Sequence, residues 1–162
     1  MMAILGDMAA GQEVYSIDES FLDVTGIDNL ILSEAFGQQM RDRIRKETGL
    51  IIGVGIGQTK TLAKLANHAS TKWTQTNGVV DLSDSSRQRK LLHLTDVSDI
   101  WGIGRRISLR MNQLGITTAL QLADSNVKMI RKNFDVIAER TARELNGESC
   151  LALEDAPSRL QL

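Results

Sequence analysis

Apolar residues recur along this chain at two spacings, and the change from one to the other organises it. Residues 14–17 and 21–25 are short runs rich in β-branched and aromatic side chains and predict two strands, with Gly26 closing the second. Phe36, Met40 and Ile44 then repeat every fourth position, the stripe of an amphipathic helix. Ser33 is its expected N-cap, Glu34 suits the first turn, Asp42 and Lys46 make an i,i+4 pair, and Gly49 supplies the stop. Residues 50–57 return to strand alternation, with Leu50, Ile52, Val54 and Ile56 on one face and Ile51, Gly53, Gly55 and Gly57 on the other. So bare a face calls for something close against the backbone: a nucleic acid or nucleotide on one account, a tightly packed helix on the other. Leu62, Leu65, Ala66 and Ala69 form the buried stripe of the next helix, and Lys60, Lys64, His68 and Lys72 line another face at every fourth position.

After the strand-like residues 78–82 the β pattern ends, and the polar residues 83–86 read as a linker. The expected organisation is α+β: residues 1–82 as a small sheet with packed helices, residues 83–162 as an all-α unit. In the second unit residues 87–94 form a short basic helix, and residues 97–108 read as helix, glycine hairpin, helix. Ile107, Met111 and Leu114 face the core from the latter helix, and Gly115 ends it. Thr118 or Thr117 caps residues 119–123, Ser125 caps the helix holding Val127, Ile130 and Phe134, and residues 136–145 end at Gly147. The tail around Pro157 is expected to be loose. Residues 1–7 are apolar but lack a basic flank and are interrupted by Asp7, so they predict a packed helix and neither a signal peptide nor a membrane span.

Hydrophobic content of 42% and charged content of 24% are ordinary for a globular chain. Cys150 is the one cysteine, which excludes an internal disulfide and makes a reducing cytoplasm the simplest home. The net charge of −1 conceals an asymmetry. Residues 1–57 hold four Lys/Arg against nine Asp/Glu, and residues 58–110 hold nine against four. An acidic block beside a basic block suggests a cation-binding half and a phosphate-binding half; chance clustering of solvated charges accounts for the numbers equally well.

The chemistry concentrates at two places. Asp18 and Glu19 are adjacent carboxylates at the connection between the first two strands. Such a pair is a polar hairpin turn in the plain reading, and a Mg²⁺ site in the sharper one, because a cation relieves the repulsion of two half-buried acids. Further on, a glycine-rich strand leads through a short turn to a helix that opens on Lys60, the composition of a phosphate site at a helix N-terminus. It is not a P-loop, since Thr59 stands where that motif needs glycine, and Gly53-Val54-Gly55 lacks the third glycine of a dinucleotide fingerprint. His68 is assigned no chemistry.

The string Ser16-Ile17-Asp18-Glu19-Ser20-Phe21 resembles the catalytic palm motif of the Y-family translesion DNA polymerases, the UmuC-type bacterial members above all. Lys60 falls where that family places a lysine on the incoming nucleotide's triphosphate, and Lys64 matches a second lysine within the helix. Residues 97–108 resemble the helix-hairpin-helix, a sequence-independent binder of DNA backbone. There Gly102 and Gly104 would bring N–H groups up to a phosphate, and Arg105, Arg106 and Arg110 would supply charge. Trp101 is expected to be a core anchor.

The resemblance implies a partial palm followed by a helical thumb. It implies template-directed nucleotidyl transfer with two Mg²⁺ in translesion synthesis and SOS-linked DNA repair. Asp18 would ligate metal, and Glu19 would ligate it or position it. Primer-template DNA and an incoming deoxynucleotide are the implied ligands, with UmuD-type and recombinase accessory proteins as partners, no membrane, and a bacterial cytoplasmic location on the nucleoid when DNA is bound. The chain departs from the family in lacking an Asp-x-Asn-x-Phe-Tyr-type segment, the fingers and the little finger. It is therefore expected to be less than half of such a protein and inactive alone. The alternative is a non-catalytic remnant that binds DNA backbone through its thumb.

Overall fold

The computed structural model describes residues 1–26 and 33–153. Helix α1 (Met2–Asp7) leads into an antiparallel pair, β1 (Gly11–Val14) and β2 (Ser20–Asp23), with Gly11 opposite Asp23 and Val14 opposite Ser20. The first strand therefore lies three residues earlier than its β-branched composition suggests. Tyr15 to Asp18 are spent on the turn, because the Glu19 carbonyl accepts from the N–H groups of both Tyr15 and Ser16 at 3.1 Å. Ile17, counted as a strand residue, stands in solvent.

Helix α2 (Ser33–Thr48) buries Phe36, Met40 and Ile44 with Leu5 of α1 in a small core, and Gly49 ends it at φ +75°. The i,i+4 pair that forms on it is Arg43–Glu47 at 3.0 Å instead of Asp42–Lys46. The side-chain cap expected of Ser33 and the tail around Pro157 lie outside the described residues.

Strand β3 (Val54–Ile56) pairs in parallel with β4 (Val79–Asp81) through the crossover helix α3 (Lys60–Lys72). It is much shorter than the predicted residues 50–57, because its partner offers only three residues; Leu50 and Ile51 are left exposed. The two accounts of the bare glycine face are now separable. A Cβ on Gly55 would lie 2.1 Å from the Asn67 nitrogen and 2.4 Å from the Ala63 carbonyl, so it is α3 that lies against the strand and requires glycine.

The larger core begins on α3, where Leu62, Leu65, Ala66 and Ala69 are buried as the stripe predicts. It continues through α4 (Ser85–Leu94), α5 (Arg105–Gln113), α6 (Ala119–Asp124), α7 (Val127–Asn133) and α8 (Val136–Leu145), with Leu92, Met111, Leu122, Ile130 and Leu145 at its centre. Helix α3 thus belongs to both the sheet and the helical layer. Three details differ from the sequence reading. Thr118 is the cap of α6, in a capping box with Gln121; Asn126 caps α7 through the N–H groups of Lys128 and Met129, while Ser125 ends α6. Leu114 is 54% exposed, because α5 stops at Gln113 and the helical stripe stops with it. Before Gly102 there is a single 3₁₀ turn, Val97–Asp99, in place of a full helix. No described helix is long and apolar enough to cross a membrane.

Candidate functional site

The β1–β2 turn presents Asp18 to solvent, its carboxylate accepting from Ser16 Oγ at 2.7 Å. The Glu19 side chain turns the other way, inward toward α3, where Lys64 Nζ donates to it at 2.7 Å. One helical turn earlier Lys60 Nζ is bonded to Glu13, which β1 supplies from the strand leading into the turn. Of the four residues predicted for the site, Glu19 and Lys64 meet, Lys60 stands one turn away on α3, and Asp18 points to solvent. Glu13 joins them unforeseen, and only its place in the pairing register could have revealed it.

Aromatic rings complete this face. Tyr15 and Phe21 flank the turn, and Trp101 reaches them from the second half of the chain, with centroids 5.7 Å from both and its Nε1 donating to the Tyr15 hydroxyl at 3.3 Å. Lys60 lies 5.1 Å from the Phe21 ring centre, and Lys64 lies 5.0 Å from Tyr15 and 5.8 Å from Trp101, distances at which a ring face attracts a cation. Trp101 is half-buried, not a core anchor: it is the contact that ties the glycine turn to the acidic hairpin. Beside this face runs a groove of about 170 Å³ between the two sheets. It touches every residue from Asp18 to Leu22 and from Ile52 to Gly57. A surface lying on a strand's face meets alternate residues, so this groove follows the edges of β2 and β3.

The N-terminus of α3 is fixed from below by Glu144 of α8, which is 0% exposed. Its carboxylate accepts from the N–H and hydroxyl of Thr61 at 3.1 and 3.0 Å, and from the N–H groups of Cys150 and Leu151 at 2.7 and 3.2 Å. The Glu144 carbonyl accepts from Thr59 Oγ1 at 2.8 Å, while Thr59 itself caps α3 by accepting from Leu62 N–H. A carboxylate at the positive end of a helix with four donors is well satisfied without water. Nothing in the local sequence around Glu144 signals this role. Burial, followed by the nearby Glu148 and Glu144 carboxylates, pushes the thiol of neighbouring Cys150 up from the ordinary value.

The glycine turn lies at the opposite edge of Trp101. Gly102 takes φ +88°, which favours glycine, and Gly104 opens α5 in extended conformation with open space around it. Arg105 and Arg106 are exposed, and neither has an ion pair among the described residues. Arg110 differs: its guanidinium donates to the Asn133 carbonyl at 2.5 Å and covers the Phe134 ring. Asp96 caps the preceding 3₁₀ turn, and the Ser98 hydroxyl and N–H hold its carboxyl below the ordinary range.

Asp18 and Glu19 offer carboxylate oxygens, the ligand type of a hard cation such as Mg²⁺, although their side chains point apart and Lys64 is bonded to Glu19. Among the described residues, no group of three or more acids, histidines or cysteines converges on one point, so the turn offers part of a ligand set.

Comparison with known proteins gives a consistent picture. Residues 1–68 match the impB/mucB/samB family. Along 97% of its length the chain is 57% identical to "Protein SamB" of Salmonella typhimurium, and along 100% it is 54% identical to "Protein UmuC" of the same species. It spans 38% of the former and 39% of the latter. A solved Y-family DNA polymerase chimera superposes with a TM-score of 0.76 at 24% identity, over 97% of this chain and 45% of the chimera, and so shares its fold.

Proposed function

Residues 1–68 belong to the impB/mucB/samB family and the chain as a whole is homologous to UmuC-type proteins; from that premise we propose that it forms the later palm and the thumb of a Y-family DNA polymerase. The observation that carries this reading is the docking of the acidic hairpin on α3, where Lys64 bonds Glu19 and Lys60 bonds Glu13 across separations of 45 and 47 residues, with Asp18 exposed on the same turn. Asp18 and Glu19 would hold Mg²⁺, which when bound would supply charge stabilisation to the transferring phosphoryl group. Lys60 binds the triphosphate of the incoming deoxynucleotide. Lys64, bonded to Glu19 in the structure, would offer its ammonium to phosphate or DNA.

Gly102, Gly104, Arg105 and Arg106 hold DNA by its backbone, with exposed guanidinium groups free to meet phosphate. The edge-lined groove between β2 and β3 would accept an extended segment pairing with their free edges. Residues 1–82 act as the palm portion and residues 83–162 as the thumb, with α3 packed against both. Partners of the UmuD type and recombinase type belong to this reading as well.

With two carboxylates and much water around the cation, binding should be weak. Titration is expected to give a Mg²⁺ affinity on the order of millimolar, lost in Asp18→Ala. Primer extension by the chain alone, with four deoxynucleotides and Mg²⁺, is expected to give no product, since catalysis of this class rests on positioning that the turn alone does not provide. Tight Mg²⁺ binding that survives Asp18→Ala would remove the metal assignment. Extension abolished by Asp18→Ala would show that the chain is active by itself.

A further inference from the structure

Four charges alternate along the face that joins the hairpin to α3. Lys60 is bonded to Glu13, with side-chain exposures of 12% and 14%, and Lys64 lies 2.7 Å from Glu19. Each ammonium also rests on an aromatic ring. A lysine in open water binds anions of any kind, because water and salt screen its neighbours. Lys60 is not so placed: the Glu13 carboxylate is within bonding distance, and little solvent separates the two. A bare polyphosphate arriving at Lys60 meets that carboxylate a few ångströms away, and like charges so close repel strongly outside bulk water. A polyphosphate carrying a divalent cation offers both signs at once, oxygens to the ammonium groups and cation to the carboxylates. Lysine has three N–H donors, so Lys60 can keep Glu13 and still give two to phosphate.

We propose that Glu13 is a specificity-determining residue: together with Glu19 it makes the Lys60–Lys64 pair accept a polyphosphate complexed to a divalent cation and reject the bare polyanion. The inference rests on the reading of Lys60 as a phosphate ligand and adds to it a residue outside the Asp18–Glu19 motif. It also explains how one small protein can separate two phosphate ligands. Backbone phosphate is met chiefly by the guanidinium groups of Arg105 and Arg106, which have no ion pair among the described residues, while Lys60, buried against Glu13, serves the metal complex.

Isothermal titration of the whole chain with inorganic tripolyphosphate, in excess Mg²⁺ and in EDTA at equal ionic strength, tests this. The wild type is expected to bind the Mg²⁺ complex at least about tenfold more tightly than the free anion. Glu13→Gln should raise affinity for the free anion by about tenfold and move the Mg²⁺ complex much less, collapsing the preference. Glu13→Asp keeps the charge and should keep the preference, which also guards against a Gln variant that fails to fold. Glu47→Gln makes the same change in net charge at an exposed helix end and should leave the preference intact. An unchanged preference in Glu13→Gln, or an equal collapse in Glu47→Gln, overturns the proposal. Lys60→Met separates it from its premise: loss of both ligand forms supports Lys60 as phosphate ligand, whereas wild-type binding of both forms overturns that reading whatever Glu13 does.

Discussion

The two halves of this molecule are built on unequal foundations. The carboxylates ride on a hairpin whose core is little more than Leu5, Phe36, Met40 and Ile44, open on one side to the groove between the sheets. The lysines they meet stand on α3, whose inner face is continuous with the whole helical core from Leu62 to Leu145. The site therefore sets a lightly packed element against a deeply packed one. Burial explains the difference: a hairpin of two four-residue strands can cover few apolar atoms, while five helices and α3 enclose side chains on every side. Charged groups that must exchange partners suit the lightly built half, and a charge that must wait in one place suits the other.

The most severe way to break this contrast is to open the larger core. Leu122→Ala should cost about 2–5 kcal/mol, since Leu122 is fully enclosed and the cavity cannot collapse easily. Chemical denaturation followed by circular dichroism is expected to show the whole helical signal shifted. Leu5→Ala, by contrast, should disturb the hairpin and leave most of that signal at its original midpoint. Equal shifts from both substitutions would mean that the two regions fold as one unit.

Glu144 offers a narrower cut, aimed at the joint between the regions. Removing its carboxylate in Glu144→Ala strands the four donors of Thr61, Cys150 and Leu151, at a cost of about 3 kcal/mol. The N-terminus of α3 should then fray, which hydrogen exchange at the Thr61 amide would report as lost protection. Protection equal to the wild type would show that Thr59 alone fixes this end.

The gentlest probe leaves folding alone and sharpens the comparison between paired and unpaired cations. Arg105→Ala with Arg106→Ala should lower duplex DNA affinity and reduce the slope of log affinity against log salt by roughly two units, if each arginine neutralises one phosphate. Lys64→Met should change that slope far less, because Lys64 is already neutralised by Glu19. Fluorescence anisotropy across a salt series distinguishes the outcomes. A double arginine variant with the wild-type slope would make the glycine turn a simple connector.

How much of this was legible in advance depends on the range of the interaction concerned. Phe36, Met40 and Ile44, or Leu62, Leu65, Ala66 and Ala69, announce their helices because a helical period is written into neighbouring positions. The Asp18–Glu19 turn and the lysines of α3 could be named from local motifs, and the structure sets Glu19 on Lys64 while Asp18 faces solvent. Strand limits fared worse: β-branched Ile17 belongs to a turn, and Leu50 and Ile51 to an exposed lead-in, because a strand exists only where a partner's hydrogen bonds reach.

What the sequence determined by itself, then, is the set of elements, their apolar faces and the identity of the charged groups. Tertiary structure alone decided who meets whom. Glu13 finds Lys60 at a separation of 47 residues, Glu144 finds Thr61 at 83, and Trp101 finds Tyr15 at 86. No local period encodes such pairs. They form because packing α3 against both the sheet and the helices brings these side chains within a few ångströms, and where that place holds little water, as at Glu144, a charge or a polar group must find a partner.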